Sequence, residues 1–280
     1  MKRGKVLVQA ALAILLAGTL LMVPETVHGQ NTITLNSTAQ EVTVASPNGV
    51  ANGNCTLGEA ILAANTNAAV DACTAGGSGG TDTIVIPAGT YTIDQLANNA
   101  GFFVPASGTP PLTGSVTFEG AGAATTFLER SSAPGTPTFS LFNAINAGGL
   151  VTINKLSIRN LPCNGGAAGG AVMYYSSPVT INDSVIENNQ ASGSCGGGGG
   201  LFKTFNIFTG LVTINNSLFR NNTGGDVTAT VLESPGPVTI TNSTFQNNTP
   251  VVGFAAAGPL ALLGDGPFNI SNSLFVGNIG

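Results

Sequence analysis

The chain has 280 residues and a formal net charge of −5, with 8 basic against 13 acidic side chains, one histidine and no tryptophan. So few cations on an acidic chain leave no electrostatic footprint for a nucleic-acid backbone, and that partner class is excluded. The length suits one elongated domain.

The first segment reads as a secretory signal. Met1 to Lys5 is basic, Val6 to Val23 is apolar, and Val27 and Gly29 occupy the key positions of a cleavage site. The expected domain boundaries are therefore 1–29 for the signal, 30–80 for N-terminal strands and a capping helix, and 81–280 for coils. An uncleaved membrane anchor is the competing reading, because the apolar run is near the lower length for spanning. Cleavage removes His28 and three of the basic residues, leaving five cations against twelve carboxylates. No second apolar run follows, so no membrane span is expected in the mature chain.

From Gln30 the chain opens with two alternating segments, Thr32 to Leu35 and Glu41 to Val44, both predicted as strands. Turn residues at Asn48, Gly49, Asn52 and Gly53 follow. The segment from Cys55 to Asn65 then predicts a short helix. Thr56 and Glu59 have capping-box spacing, and Leu57, Ile61 and Ala64 share one face. Such a helix has a structural task, because the open end of a stacked array of strands is a pairing hazard unless covered. The four cysteines predict two disulfides in an exported chain. Cys55 and Cys73 flank one short segment and are expected to pair locally. Cys163 and Cys195 follow equivalent positions in neighbouring repeats, so a bridge between coils is expected there. Tight CxxC pairs are absent from the sequence, which argues against a cysteine metal site.

The run CTLGEAILAANTN, followed by Cys73, GGSGG and DTIVIPAGTYTI, resembles the CSLREAI-type segment at the start of many exported bacterial β-helix proteins. Thr56 stands where the family pattern has Ser, and Gly58 where it has Arg. The resemblance covers residues ~52–93. It implies a secreted or surface protein and no defined reaction.

Asp82 to Ile93 predicts a first coil, and Ser115 to Ser131 the next; Asp94 to Thr113, rich in Pro and Gly, predicts a long loop between them. Then a block is written five times, within residues 150–278: VTINKLSIRN from Val151, VTINDSVIENN from Val179, VTINNSLFRNN from Val212, VTITNSTFQNN from Val238 and FNISNSLFVGN from Phe268. Aligned, the copies stack Ile153, Ile181, Ile214, Ile240 and Ile270 in one column, which Phe118 extends upstream. Ile158, Ile186, Phe219, Phe245 and Phe275 form a second column. Asn160, Asn188, Asn221 and Asn247, with Gly277 in the last copy, form a third. A repeat that cannot bury its own apolar face must stack on its neighbours. Alternation and β-branching make the unit a strand, and the spacing between copies is too long for a hairpin. The predicted fold is therefore all-β, a right-handed single-stranded parallel β-helix of pectin-lyase-like type, with one coil per repeat. A β-sandwich of similar strands would not need its columns to coincide. The Asn column is expected to form a structural ladder of amides at the bend.

Between the copies lie further strand candidates at Ala171, Leu201, Val227 and Pro259. Phe219 to Asn222, Phe245 to Asn248 and Phe275 to Asn278 resemble the FxxN element of polymorphic outer-membrane-protein repeats, and Gly169 to Val172 resembles their GGA element. That resemblance implies an adhesive, surface-exposed β-helix. NxS/T sequons occur at Asn36, Asn54, Asn182, Asn215, Asn221, Asn242 and Asn247, and most read as by-products of the ladder.

Arg159, Glu187, Arg220 and Gln246 form one outward column, and Lys155 with Asp183 an adjacent one. Alternating sign favours a structural role in fixing register. Two functions are expected from this sequence. The first is a non-catalytic secreted or cell-surface module, structural or adhesive, meeting glycans or other cell surfaces through the variable loops after the Asn column (162–170, 190–200 and 249–258). It would be a monomer or part of a longer chain and would need no cofactor. The alternative is a polysaccharide lyase or glycoside hydrolase on pectin-like acidic glycans, since the fold type hosts such enzymes. That chemistry needs positioned carboxylates, and Asp226, Glu233 and Asp265 are the candidates for a weak calcium site.

Overall fold

The structure, a computed structural model, describes residues 29–99, 106–144, 149–164, 172–175, 177–192, 199–203, 211–224, 230–232, 237–250, 260–262 and 266–279. The expected signal segment lies outside them, save Gly29 at its end. Among the described residues no helix is long and apolar enough to cross a membrane.

Each coil begins with a strand that enters one eight-stranded sheet. Its members, in order, are Thr32–Thr34, Asp82–Ile86, Val116–Gly120, Val151–Asn154, Val179–Asn182, Val212–Asn215, Val238–Thr241 and Phe268–Ser271. All pairings are parallel, and the order in space is the order in sequence. A second, seven-stranded sheet runs from Gly89–Ile93 through Thr126–Arg130, Ser157–Arg159, Val185–Glu187, Leu218–Arg220 and Thr244–Gln246 to Leu274–Val276. A third face holds Phe142–Ala144, Met173–Tyr175 and Leu201–Lys203, with Thr230–Leu232 and Leu260–Leu262 continuing in the later coils. Every strand pairs with its counterpart one coil away, which makes the fold a parallel β-helix.

The register is the one the repeat predicts. Ile153, Ile181, Ile214, Ile240 and Ile270 are direct partners, and the column continues upstream through Phe118, Ile84 and Ile33. The second column runs from Tyr91 and Leu128 through Ile158, Ile186 and Phe219 to Phe245 and Phe275. Both columns point inward and are buried, except in the last coil. Phe219 and Phe245 stack with centroids 5.0 Å apart, and Phe245 and Phe275 4.8 Å apart. Such stacking adds to the burial of apolar area.

Two corners per coil let the chain turn without a long loop. Lys155, Asp183, Asn216, Asn242 and Asn272 make the first, and Asn160, Asn188, Asn221, Asn247 and Gly277 the second. All have positive φ, from 47° to 63°. Asn, Asp and Gly tolerate this left-handed region best, which is why the sequence repeats them there. The expected amide ladder in the second corner is largely a backbone requirement. Within it, Asn221 donates to Asn188 at 3.3 Å.

The buried ladder lies one residue further on. Asn189, Asn222 and Asn248 are fully buried and point inward. Each backbone N–H donates to the next Asn Oδ1: Asn189 to Asn222 at 3.1 Å, Asn222 to Asn248 at 3.0 Å, and Asn248 to Asn278 at 2.9 Å. Each Nδ2 also donates to the next Oδ1 and to a carbonyl of the coil before, Ile158, Ile186 or Phe219. The first corner is lined the same way by serine. Ser184, Ser217 and Ser243 pass N–H to the next Oγ at 3.2 Å. Both ladders satisfy backbone groups that a tight corner would otherwise strand in the core.

The N-terminal region departs from expectation in one place, and its expected loop holds to the third face by single bonds. Glu41 to Val44 is not a strand; Val42 is buried beside Gly58 instead. A Cβ at Gly58 would meet Val42 Cβ at 2.6 Å, so a larger residue there would have to displace Val42. The described part of Asp94 to Thr113 forms no strand, as expected of a loop between coils, and its residues 106–112 lie along the third face. Gly108 N–H donates to Ser140 O and Leu112 N–H to Asn143 O. The helix, Leu57–Thr66, packs on Thr32–Thr34 and Asp82–Ile86, as a cap should. Fully buried Glu59 holds its start: Oε2 accepts the Thr56 N–H and hydroxyl, and Oε1 the Val50 N–H. Cys55 and Cys73 form the expected disulfide.

Candidate functional site

Outward side chains of the two long sheets form the polar surface available to a partner. On the seven-stranded sheet the charges fall into two separate ion pairs. Arg220 meets Glu187 at 2.6 Å, and Arg159 meets Glu129 at 2.7 Å. Glu187 stands opposite both arginines in register but turns to Arg220. Arg159 turns back one coil, with its guanidinium 3.9 Å over the Phe127 ring, a cation–π contact. On the adjacent column Lys155 pairs with Glu119 at 2.8 Å rather than with Asp183. The hydrogen bond from Lys155 to Glu119, reinforced by the charge of Glu119, raises the ammonium above its ordinary value of 10.5. Asp183 accepts the Asn216 amide at 2.5 Å.

Glu119, Glu129 and Phe127 were not singled out from the sequence. Their signal was available: Val116 to Glu119 aligns with Val151 to Asn154, and Thr126 to Arg130 covers the second column.

Beside the Arg159–Glu129 pair lies an open groove of about 420 Å³, lined by Thr92, Glu129, Arg130, Ser131, Ser132 and Asn160. Hydroxyls, an amide and a carboxylate line it beside the apolar ring of Pro162. Arg130 is committed: it donates to the carbonyls of Pro137 and Ser131 at 2.8 Å and also to that of Thr136. Partial burial lowers its guanidinium below the ordinary arginine range. Asn160, expected as a ladder residue, sits at the rim of this groove.

The calcium candidates Asp226, Glu233 and Asp265 lie outside the described residues, as does Cys195. Cys163 belongs to the short strand Pro162–Asn164, whose backbone pairs with Gln190–Ser192. The variable loops therefore begin as a ladder, which Thr223–Gly224 and Thr249–Pro250 continue. Apart from Gly199 and Gly200, which are buried, the remainder of those loops lies outside the described residues. Among the described residues no three His, Cys, Asp or Glu side chains come together to hold a metal.

A scan against protein-family models and searches of curated proteins and of solved structures find no match to this chain.

Proposed function

We propose that the chain is a non-catalytic, exported or surface-attached β-helix module that binds neutral glycans or other cell surfaces. The binding face is the outward side of the seven-stranded sheet with the groove beside Arg159. The observation that carries this reading is the pairing of charge. Lys155, Arg159 and Arg220 each hold a carboxylate, and Arg130 is bound to carbonyls. A uronic-acid polymer needs free cations or a bound metal to offset its charge, and this face commits its cations internally. Neutral sugars need hydroxyl, amide and carbonyl partners, which the groove supplies. The paired carboxylates are likewise engaged, whereas glycoside hydrolysis needs two placed on either side of one bond.

Calorimetric titration with neutral and uronic-acid oligosaccharides, beside a turnover assay on pectins with and without calcium, tests the proposal. Binding of neutral sugars that Asn160→Ala and Ser131→Ala weaken supports it. Calcium-dependent cleavage of pectin, lost in Asp226→Ala or Glu233→Ala, overturns it in favour of a lyase or hydrolase.

A further inference from the structure

The corner between Val116–Gly120 and Thr126–Arg130 takes five residues, 121–125, where the later coils turn with two, as at 155–156 and 183–184. Its Ala123 carbonyl accepts the hydroxyl of buried Ser157. Ser157 begins an outward column of the seven-stranded sheet that continues in register through Val185, Leu218 and Thr244. The long corner therefore lies over the head of that column. Beyond it an open trough of about 380 Å³ follows the helix axis. Half-buried Val185, Leu218 and Thr244 form its floor, and the exposed corner residues Asp183, Asn216 and Asn242 form one edge.

The lining is chemically selective. Only Asp183 among the lining residues is charged. One of its oxygens holds the Asn216 amide at 2.5 Å. Its other oxygen, the Asn216 side-chain carbonyl and the Thr244 hydroxyl make no hydrogen bond among the described residues. An acidic polymer would meet a carboxylate here and no cation in the lining. An extended peptide needs unpaired backbone groups, and each strand beneath the floor already has a neighbour on both sides. A neutral chain of pyranose rings finds aliphatic side chains for the C–H faces of its rings and acceptors for its hydroxyls along one edge. The spacing agrees with such a chain. Floor residues recur once per coil, ~4.8 Å apart, close to the length that one ring adds to a straight chain of equatorially linked sugars. A peptide, at ~3.3 Å per residue, does not keep that step.

We propose that this trough binds a straight, neutral glycan chain lying along the helix axis, one ring per coil over Val185, Leu218 and Thr244. The assignment rests on the glycan-binding reading above. It adds the shape of the chain and a second place on the same sheet face, separate from the groove beside Arg159.

The test is calorimetric titration of the full chain with cello-oligosaccharides, which are straight, and malto-oligosaccharides, which curve, from the disaccharide to the hexasaccharide. The variants are Leu218→Thr, Asp183→Asn and, for the other groove, Ser131→Ala. Position 218 then carries the residue its column has at Thr244, and position 183 the residue its corner has at Asn216, so both coils stay intact, which circular dichroism checks. The expected affinity for the straight series rises severalfold per ring up to the trisaccharide and levels beyond it, and it exceeds that for the curved series. Leu218→Thr and Asp183→Asn each lower it severalfold. Affinity independent of length, or equal for the two series, overturns the proposal. Binding that Ser131→Ala weakens and Leu218→Thr does not also overturns the trough, while leaving glycan binding at the groove. Binding of neither series overturns both readings.

Discussion

Removing one amide from the buried ladder is the sharpest perturbation of this fold. In Asn222→Ala four hydrogen bonds disappear: two accepted from Asn189, at 3.1 and 3.2 Å, and two donated, to Ile186 O at 2.9 Å and Asn248 Oδ1 at 3.1 Å. Each contributes about 1 kcal/mol net, and an N–H left unpaired in the core costs about 1–3 kcal/mol. The expected loss is about 4 kcal/mol. The preceding residue is the control. Asn221 is exposed, makes one 3.3 Å amide contact and occupies the left-handed region. Gly277 occupies the same corner in the last coil, so Asn221→Gly should cost within about 0.5 kcal/mol of nothing. Urea denaturation followed by circular dichroism gives both values, and hydrogen exchange at the Asn189 amide reports the local opening. Equal losses in the two variants, or an Asn189 amide that stays protected in Asn222→Ala, would refute the ladder as the source of stability.

Two further outcomes are expected. The Asn52 N–H above all, helped by Gly53 and Asn54 against a smaller opposing effect of burial, holds the Asp71 carboxyl below its ordinary 3.8. A folded value below the unfolded one gives stability that is present above pH ~4 and lost as pH falls through the folded value; Asp71→Asn should flatten that acid limb in a pH series of melting temperatures. At Gly120 an added Cβ would lie 2.2 Å from the Lys155 carbonyl oxygen, whereas at Gly114 it would meet nothing within 4 Å. Gly120→Ala should therefore cost about 1–3 kcal/mol and Gly114→Ala almost none, measured by the same denaturation.

The inward columns were legible because every copy spells them with the same few letters. Ile214 lies on Ile240 and Phe219 on Phe245 as the alignment places them. Which of two adjacent asparagines faces the core was not legible. Asn221 and Asn222 are the same letter, and only the left-handed φ of the first turns the second inward. The acid partners of Lys155 and Arg159 were missed for another reason. Glu119 and Glu129 belong to coils whose letters have drifted from the block, although their backbones keep register. Glu41 to Val44 alternates as a strand does, yet it forms no ladder: the Val44 N–H makes a single bond to the Leu96 carbonyl, and Val42 packs at Gly58. Of the candidate site, the repeated outward charges could be read directly. The groove could not, because Thr92, Ser131 and Asn160 meet there from three different coils.

The two leucines of the first regular block have a consequence for how this array can lengthen. Leu156 and Leu161 stand where later coils carry serine and asparagine; their N–H groups donate forward to Ser184 and Asn189, and their side chains offer no acceptor to the coil before. They are the foundation course of both polar ladders. A duplicated coil inserted after them finds donor and acceptor waiting on either side, while one inserted before them would break the chain of bonds at its first joint. Relatives of this protein that differ in length should differ downstream of Leu161.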